Sequence, residues 1–355
     1  MIEIDQRIFP YSAGIDLNDE KDGEDEFIVS FSYPNIYALG KNARSDELTF
    51  MVSTGADSIF EATHNLSDRM QQPIYLKHLK VLIISEEVAN NPQLMKNIID
   101  GINRDYIINK MTNLLIVKDK AKGLIETKVA ATRQEDVEGL LYTILRNNQS
   151  STKFTPKAIT TFIEDMDVAS ASIVPLGIPL KKEIKIAGGG VFKNYRFIGY
   201  IDERENKDIA MLCGNIHDDG IDIEYEGTNL SLLMTKLKCK KTLEDSEENL
   251  KILYTMKIEG QIQGYTLTND ELDGSDGVIE SMEKVMEKKI KEDLKTTIKK
   301  LQKELNADVI GISEYLYKFH PKIWKEIKED WDYIFPNIDI DVDINMNIRR
   351  RGLVR

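Results

Sequence analysis

The stretch Ile279-Glu280-Ser281-Met282-Glu283-Lys284-Val285-Met286-Glu287-Lys288-Lys289-Ile290-Lys291-Glu292-Asp293-Leu294-Lys295-Thr296-Thr297-Ile298-Lys299-Lys300-Leu301-Gln302-Lys303-Glu304-Leu305 decides how the C-terminal part of this chain folds. Ile279, Met282, Met286, Ile290, Leu294, Ile298, Leu301 and Leu305 step by three or four residues, so one helix face is apolar and the rest is charged. The pairs Glu280/Lys284 and Glu287/Lys291 each add about 0.2–0.5 kcal/mol of i,i+4 support. A coiled coil is the rival reading, but the repeat drifts at four-residue steps and keeps no 3.5-residue seam. A helix of this kind, spanning about 276–305, needs a sheet to cover.

Strand-like segments at 228–238, 250–261 and 338–345 supply that sheet. In the last of these, Asp339, Asp341 and Asp343 alternate with Ile338, Ile340, Val342 and Ile344. All three carboxylates therefore share one face. They read as the solvated side of a one-sided sheet; the functional alternative is a cation site or an acid/base cluster. A helix is expected at 202–216, and Arg349-Arg350-Arg351 forms a short terminal basic run.

The N-terminal half reads differently. Phe27, Val29, Phe31 and Tyr33 alternate up to Pro34, a half-buried strand. Beyond it come strand 47–54, helix 56–70, strand 75–85, a helix opened by Pro92, and strand 112–118. The continuous apolar runs at 81–84 and 114–117 call for cover on both faces. Strand–helix–strand–helix–strand order argues for a layered α/β unit. From 120 to 170 short helices at 139–145 and 156–166 suggest a small, inserted or appended, mainly helical unit. Strand character returns over 170–184, followed by a strand pair turning near Asn194.

The expected class is therefore mixed α+β and α/β, with three domains, each a small sheet with packed helices. An N-terminal α/β domain takes 1–119 and 170–201, the helical unit 120–169, and a C-terminal α+β domain 202–355. A length of 355 residues suits about two or three domains.

The 41% hydrophobic residues allow large cores, and 60 acidic against 47 basic residues give a net charge of −13, which disfavours phosphate-backbone binding. No apolar run approaches the roughly 18–20 residues of a membrane-spanning helix. Met1-Ile2-Glu3-Ile4-Asp5 shows neither a basic n-region nor an apolar h-region. Two cysteines, Cys213 and Cys239, are too few for a disulfide framework and read as small buried hydrophobes.

A search for chemistry returns little. His64, His78, His217 and His320 are isolated from one another. Cys213 and His217 could share a helix face but lack a third partner. Asn18-x-Glu20-x-Asp22-Gly23 resembles the opening of a calcium loop, yet Val29 stands where a bidentate Glu is needed. Gly188-Gly189-Gly190 could pass for a phosphate cradle, but Val191-Phe192 continues a strand, where glycines mark a bulge or close approach. No catalytic residue, cofactor or metal site is expected.

Two ordered residue sets carry a family likeness. One is Ala187-Gly188-Gly189-Gly190-Val191-Phe192, continuing to Phe197-Ile198-Gly199-Tyr200. The other is Gln302, Glu304, Asp308 and Gly311, then Pro321, Trp324, Asp330-Trp331-Asp332 and Phe335-Pro336, closed by the alternating strand and Gly352. Ile15-Asp16, Tyr33-Pro34 and Gly55 match at the other end. Together they resemble the Ger(x)C family, the C-type subunits of spore germinant receptors, over nearly the full length.

The resemblance implies a non-catalytic lipoprotein held at the outer face of the spore inner membrane. It would act with an A-type and a B-type membrane subunit in nutrient-triggered germination. It also implies three α/β-type domains and a lipid-bearing N-terminal cysteine. Neither Cys213 nor Cys239 can be that residue, so an export segment and its cysteine are expected ahead of Met1. The glycines and tryptophans are expected to be structural, with the Trp331 indole inward and Asp330 and Asp332 outward. Two other functions compete: a soluble protein capturing small nutrients such as amino acids, and a metal-dependent hydrolase built on Asp339, Asp341 and Asp343.

Overall fold

The computed structural model describes residues 7–19, 25–35, 49–70, 72–127, 137–146, 152–181, 183–216, 219–225, 227–246, 249–265 and 276–349. The chain divides into two compact units, one of Met1–Asn148 with Phe154–Asp202 and one of Gln149–Lys153 with Glu203–Arg355.

The first unit is a mixed sheet with helices on both faces. Its strands are β1 (Ser12–Leu17), β2 (Phe27–Pro34), β3 (Thr49–Ala56), β4 (Val81–Ser85), β5 (Asn113–Val117), β6 (Lys157–Ala158), β7 (Ala171–Pro179), β8 (Ile184–Lys193) and β9 (Arg196–Ile201). Their order is β3-β2-β1-β4-β5-β7-β8-β9, with β6 on β5. The centre, β1-β4-β5-β7, is parallel; the outer pairs on both sides are antiparallel.

The helices are α1 (Ile59–Ser67), α2 (Glu86–Ala89), α3 (Pro92–Arg104), α4 (Ala121–Ile125), α5 (Val137–Arg146) and α6 (Ile159–Val168). Side chains of β4 split between two cores. Leu82 and Ile84 join Ala62, Met95, Ile99 and Phe162, whereas Val81 and Ile83 join Leu124, Leu141 and Leu145. That split is why 81–84 and 114–117 read as unbroken apolar runs.

Several expectations shift here. The 56–70 helix starts only at Ile59, because Ala56 completes β3 and the Ser58 hydroxyl accepts the Glu61 amide at 3.0 Å. The 75–85 strand loses its start to a 3₁₀ turn, Leu76–His78. β3 does not neighbour β4; β2 and β1 lie between them. The helices of 120–169 pack on the first sheet and add to its two cores, so they belong with that unit. The pair β8–β9 turns at Asn194 and Tyr195, both at positive φ.

The second unit is an open four-stranded sheet in the order β10 (Asp219–Tyr225), β11 (Thr228–Ser246), β12 (Asn249–Tyr265), β13 (Asp339–Arg349). β10, β11 and β12 form an antiparallel meander, and β13 returns parallel to β12. The helices are α7 (Glu203–Leu212), α8 (Asp276–Lys300), α9 (Ile312–Phe319), α10 (Pro321–Ile327) and α11 (Trp331–Ile334). α8 ends in a π-turn, Leu301–Leu305, closed by Asn306 in the left-handed region.

Its stripe Met282, Met286, Ile290, Leu294, Ile298 and Leu301 is buried. The matching face of the sheet presents Ile252, Tyr254, Met256 and Ile258 beside Val342, Ile344 and Met346, also buried. The helix expected over 202–216 stops at Leu212, with Gly214 at φ +73° just beyond. β11 and β12 run well past the expected 228–238 and 250–261.

Candidate functional site

The residues of the second family set build one corner of the second unit. Gln302, in the π-turn, is buried and donates through Nε2 to the carbonyls of Phe335 and Ile338 at 2.8 and 2.9 Å. It thereby ties the end of α8 to the entry of β13. Asp308 accepts the amides of Ile312 and Ser313 at 3.1 and 2.6 Å, satisfying first-turn donors of α9. Gly311 precedes that helix at φ +73°.

Trp324 and Trp331 meet edge to face at 5.1 Å, and Phe335 lies 5.9 Å from Trp331. Trp331 is buried while Asp330 and Asp332 are exposed. Phe335 is fully buried, and Pro336 opens the 3₁₀ turn that leads to β13.

The first set lies in the other unit. Gly188 sits at φ +61°, and a Cβ there would collide with the Ile201 carbonyl. At Gly189 a Cβ would stand 2.6 Å from Ile173 Cγ2, and at Gly190 3.1 Å from Ile116 Cγ2. Gly199 is paired with Val191 beside a register shift, and Phe192 packs on Phe162 at 5.5 Å. The triplet is a packed strand interior, with no space for a phosphate. Asp16 is buried and accepts the amides of Ala121 and Lys122 at 2.6 and 3.0 Å. Burial pushes its carboxyl up, opposed by those two amides.

Of the other candidates, the three aspartates of β13 do not act together. Asp339 and Asp343 are exposed, while Asp341 pairs with Lys295 at 3.1 Å and Lys291 at 3.5 Å. The Lys295 contact holds the Asp341 carboxyl below its usual range. Among the described residues, no three His, Cys, Asp or Glu side chains gather as a metal-holding group. His217, residues 20–24 of the calcium-like loop, and Arg350, Arg351 and Gly352 lie outside the described residues.

What sequence reasoning missed is a cleft of about 530 Å³ in the second unit, beside Gly311. Its walls are Leu212 and Cys213 at the end of α7, Cys239 to Lys241 on β11, and Glu314, Tyr315, Lys318 and Phe319 on α9. Cys239 donates to the Leu212 carbonyl at 3.4 Å, and burial pushes its thiol up to about 11. Tyr315 is anchored by the Leu243 amide at 3.3 Å and the His320 ring at 3.0 Å.

Two family models tile the chain: "Spore germination protein N-terminal domain" matches residues 1–177, and "Spore germination B3/ GerAC like, C-terminal" matches 187–352. The chain belongs to the Ger(x)C spore germination family. The second model begins inside β8, so the glycine triplet counts with the C-terminal sequence although it folds into the first unit.

Among curated relatives, spore germination protein B3 of Bacillus subtilis (strain 168) is 23% identical over 97% of this chain and 91% of its own length. Spore germination protein A3 of the same organism is 24% identical over 96% and 90%. The crystal structure of the GerBC protein superimposes with a TM-score of 0.61 at 18% identity, covering 96% of this chain and 98% of that one. The fold is thus the mixed α+β fold of this family. Among the described residues, no helix is long and apolar enough to cross a membrane.

Proposed function

We propose that the chain is a non-catalytic C-type subunit of a nutrient germinant receptor, needed for spores to germinate. The observation that carries this reading is the pair of family models covering 1–177 and 187–352. The use of Gln302, Asp308, Trp324, Trp331 and Phe335 in packing and turn closure supports it, because their polar and aromatic groups are engaged in holding the fold together. In this reading the partners are an A-type and a B-type membrane subunit, and a lipid joined to an N-terminal cysteine holds the protein at the outer face of the spore inner membrane. One acyl chain binds a bilayer only marginally, so diacylation or partner contact would complete the attachment.

Deletion of the gene should abolish germination with one nutrient while leaving a non-nutrient trigger effective, and restoring the gene should restore the response. Unchanged nutrient germination in a strain without a paralogue would refute the proposal.

A second reading, capture of a small nutrient by the chain itself, draws on a cleft of about 160 Å³ in the first unit. Phe27, Ile59, Ile102 and Ile108 line it beside Asp57 and Asp105. Calorimetric titration with mixed amino acids separates the two; a flat trace at about 1 mM ligand rejects capture.

A further inference from the structure

We propose that the cleft between the end of α7, β11 and α9 binds a small organic anion, an apolar body carrying one carboxylate. The inference does not rest on the receptor reading.

The first observation is charge. The chain carries a net −13, yet the charged side chains on this cleft are Lys241 and Lys318 against a single carboxylate, Glu314. Glu314 is already engaged by Lys318 in an ion pair at 2.5 Å. Lys241 is half-buried and donates to the Gly311 carbonyl at 3.0 Å, with its ammonium 5.6 Å from the Tyr254 ring centre. An ammonium has three N–H donors, and one hydrogen bond leaves two. Among the described residues no carboxylate pairs with Lys241. Other half-buried lysines of the same unit do find acids: Lys300 reaches Glu205 at 2.7 Å, and Lys207 reaches Asp219 at 3.6 Å. A partly desolvated cation without a counter-charge is costly, and an anion from outside removes that cost.

The second observation is the apolar wall. Phe319 leaves 69% of its surface exposed and lies 5.5 Å from the anchored Tyr315 ring. Leu212 and the two thiols complete that side. A volume of about 530 Å³ is that of a small-molecule site, in which an apolar lining supplies contact area and a few polar groups fix orientation. The wall favours an aromatic or branched body, and the lysines favour a carboxylate over an amide.

The test uses the purified chain and three probes: 3-phenylpropionate, its neutral amide, and acetate. 3-Phenylpropionate should saturate with a dissociation constant of about 1 mM or below, and the amide and acetate should bind at least about tenfold more weakly. Bound 3-phenylpropionate should slow alkylation of Cys239 by a neutral maleimide. Phe319→Ala and Lys241→Met should each weaken binding, Lys241→Arg should restore it, and Lys240→Gln, on the other face of β11, should leave it unchanged. Phe319 is largely exposed, so its variant stays informative if Lys241→Met unfolds. Equal binding of acid and amide, no saturation, or saturation without protection of Cys239 would each overturn the proposal.

Discussion

Glu287 Oε1 accepts the main-chain amide of Met346 at 2.8 Å, so a side chain of α8 does the work of a missing strand. One turn earlier, Glu283 Oε1 accepts the Ile348 amide at the same distance. β13 has β12 on one side only, and its outer amides would otherwise stand unpaired beside water or another chain. Exposed edges of this kind template aggregation, and a covering helix is one of the ways proteins blunt them.

Removing these acceptors should therefore cost stability and solubility together. Glu287→Ala and Glu283→Ala should each lower stability by about 1–3 kcal/mol, because hydrogen bonds to a charged acceptor are worth more than neutral ones. Gln keeps an acceptor oxygen at either position, and its loss should be under about 1 kcal/mol. Urea midpoints measure the first effect, and light scattering of the double alanine variant during refolding measures the second. An unshifted midpoint for both alanine variants would show that water replaces the carboxylates at no cost.

Gln302 makes a sharper test of the corner. Its amide nitrogen serves two buried carbonyls, those of Phe335 and Ile338. Gln302→Leu leaves both acceptors dry and should cost about 2–4 kcal/mol. Gln302→Glu should be worse at neutral pH, since a carboxylate then faces two carbonyl oxygens. If Glu proves milder than Leu, the corner opens to water and the packing argument fails.

The sequence showed α8 through its apolar spacing, and it showed the double-sided sheet through the unbroken runs at 81–84 and 114–117. Local rules misled where long-range contacts took over. Glu287 and Lys291 have ideal pairing distance, yet Glu287 turns to Met346 and Lys291 to Asp341. β3 follows β2 and precedes β4 in sequence, but β1 takes the place beside β4, a choice that depends on pairing across more than sixty residues, as Ser12 with Val81. The cleft was illegible for a related reason. Inward positions of β11 past Leu237 are Cys239 and Lys241, so the alternation fades in the sequence where the strand still runs on to Ser246. Residues that line a cleft lose the apolar signature that reveals a core.

Asp208 predicts a pH dependence. Burial pushes its carboxyl up to about 6, partly opposed by the Thr297 hydroxyl, which donates to it at 2.6 Å. The unfolded chain holds this group near 3.8, so between about 3.8 and 6 the folded state binds the extra proton. Stability from this group is therefore fully present below about 3.8 and lost as pH rises to about 6, remaining lost above. Asp208→Asn removes the ionisation. Allowing for partial solvent contact, it should raise stability at pH 7 by about 1–2 kcal/mol and flatten the stability profile between pH 4 and 6. Denaturant melts of both proteins across that range check the sign; a variant less stable at pH 7 would mean the ionised Asp208–Thr297 bond outweighs the burial.

Two glycine-to-alanine substitutions in the first unit should move stability in opposite directions. At Gly188 the backbone is in the left-handed region, and an added Cβ would strike the Ile201 carbonyl of β9. Left-handed φ alone costs alanine about 1–2 kcal/mol, and the collision with backbone adds to it, so Gly188→Ala should lose at least about 2 kcal/mol. At Gly101, inside α3, an added Cβ meets nothing within 4 Å. Alanine there should gain about 0.8–1 kcal/mol, the propensity difference in a helix interior. Thermal or urea unfolding of the two variants beside the parent chain reads both shifts. Should Gly188→Ala prove neutral, the β8–β9 bulge relaxes freely, and the glycine triplet must owe its presence to something other than the close approach of these two strands.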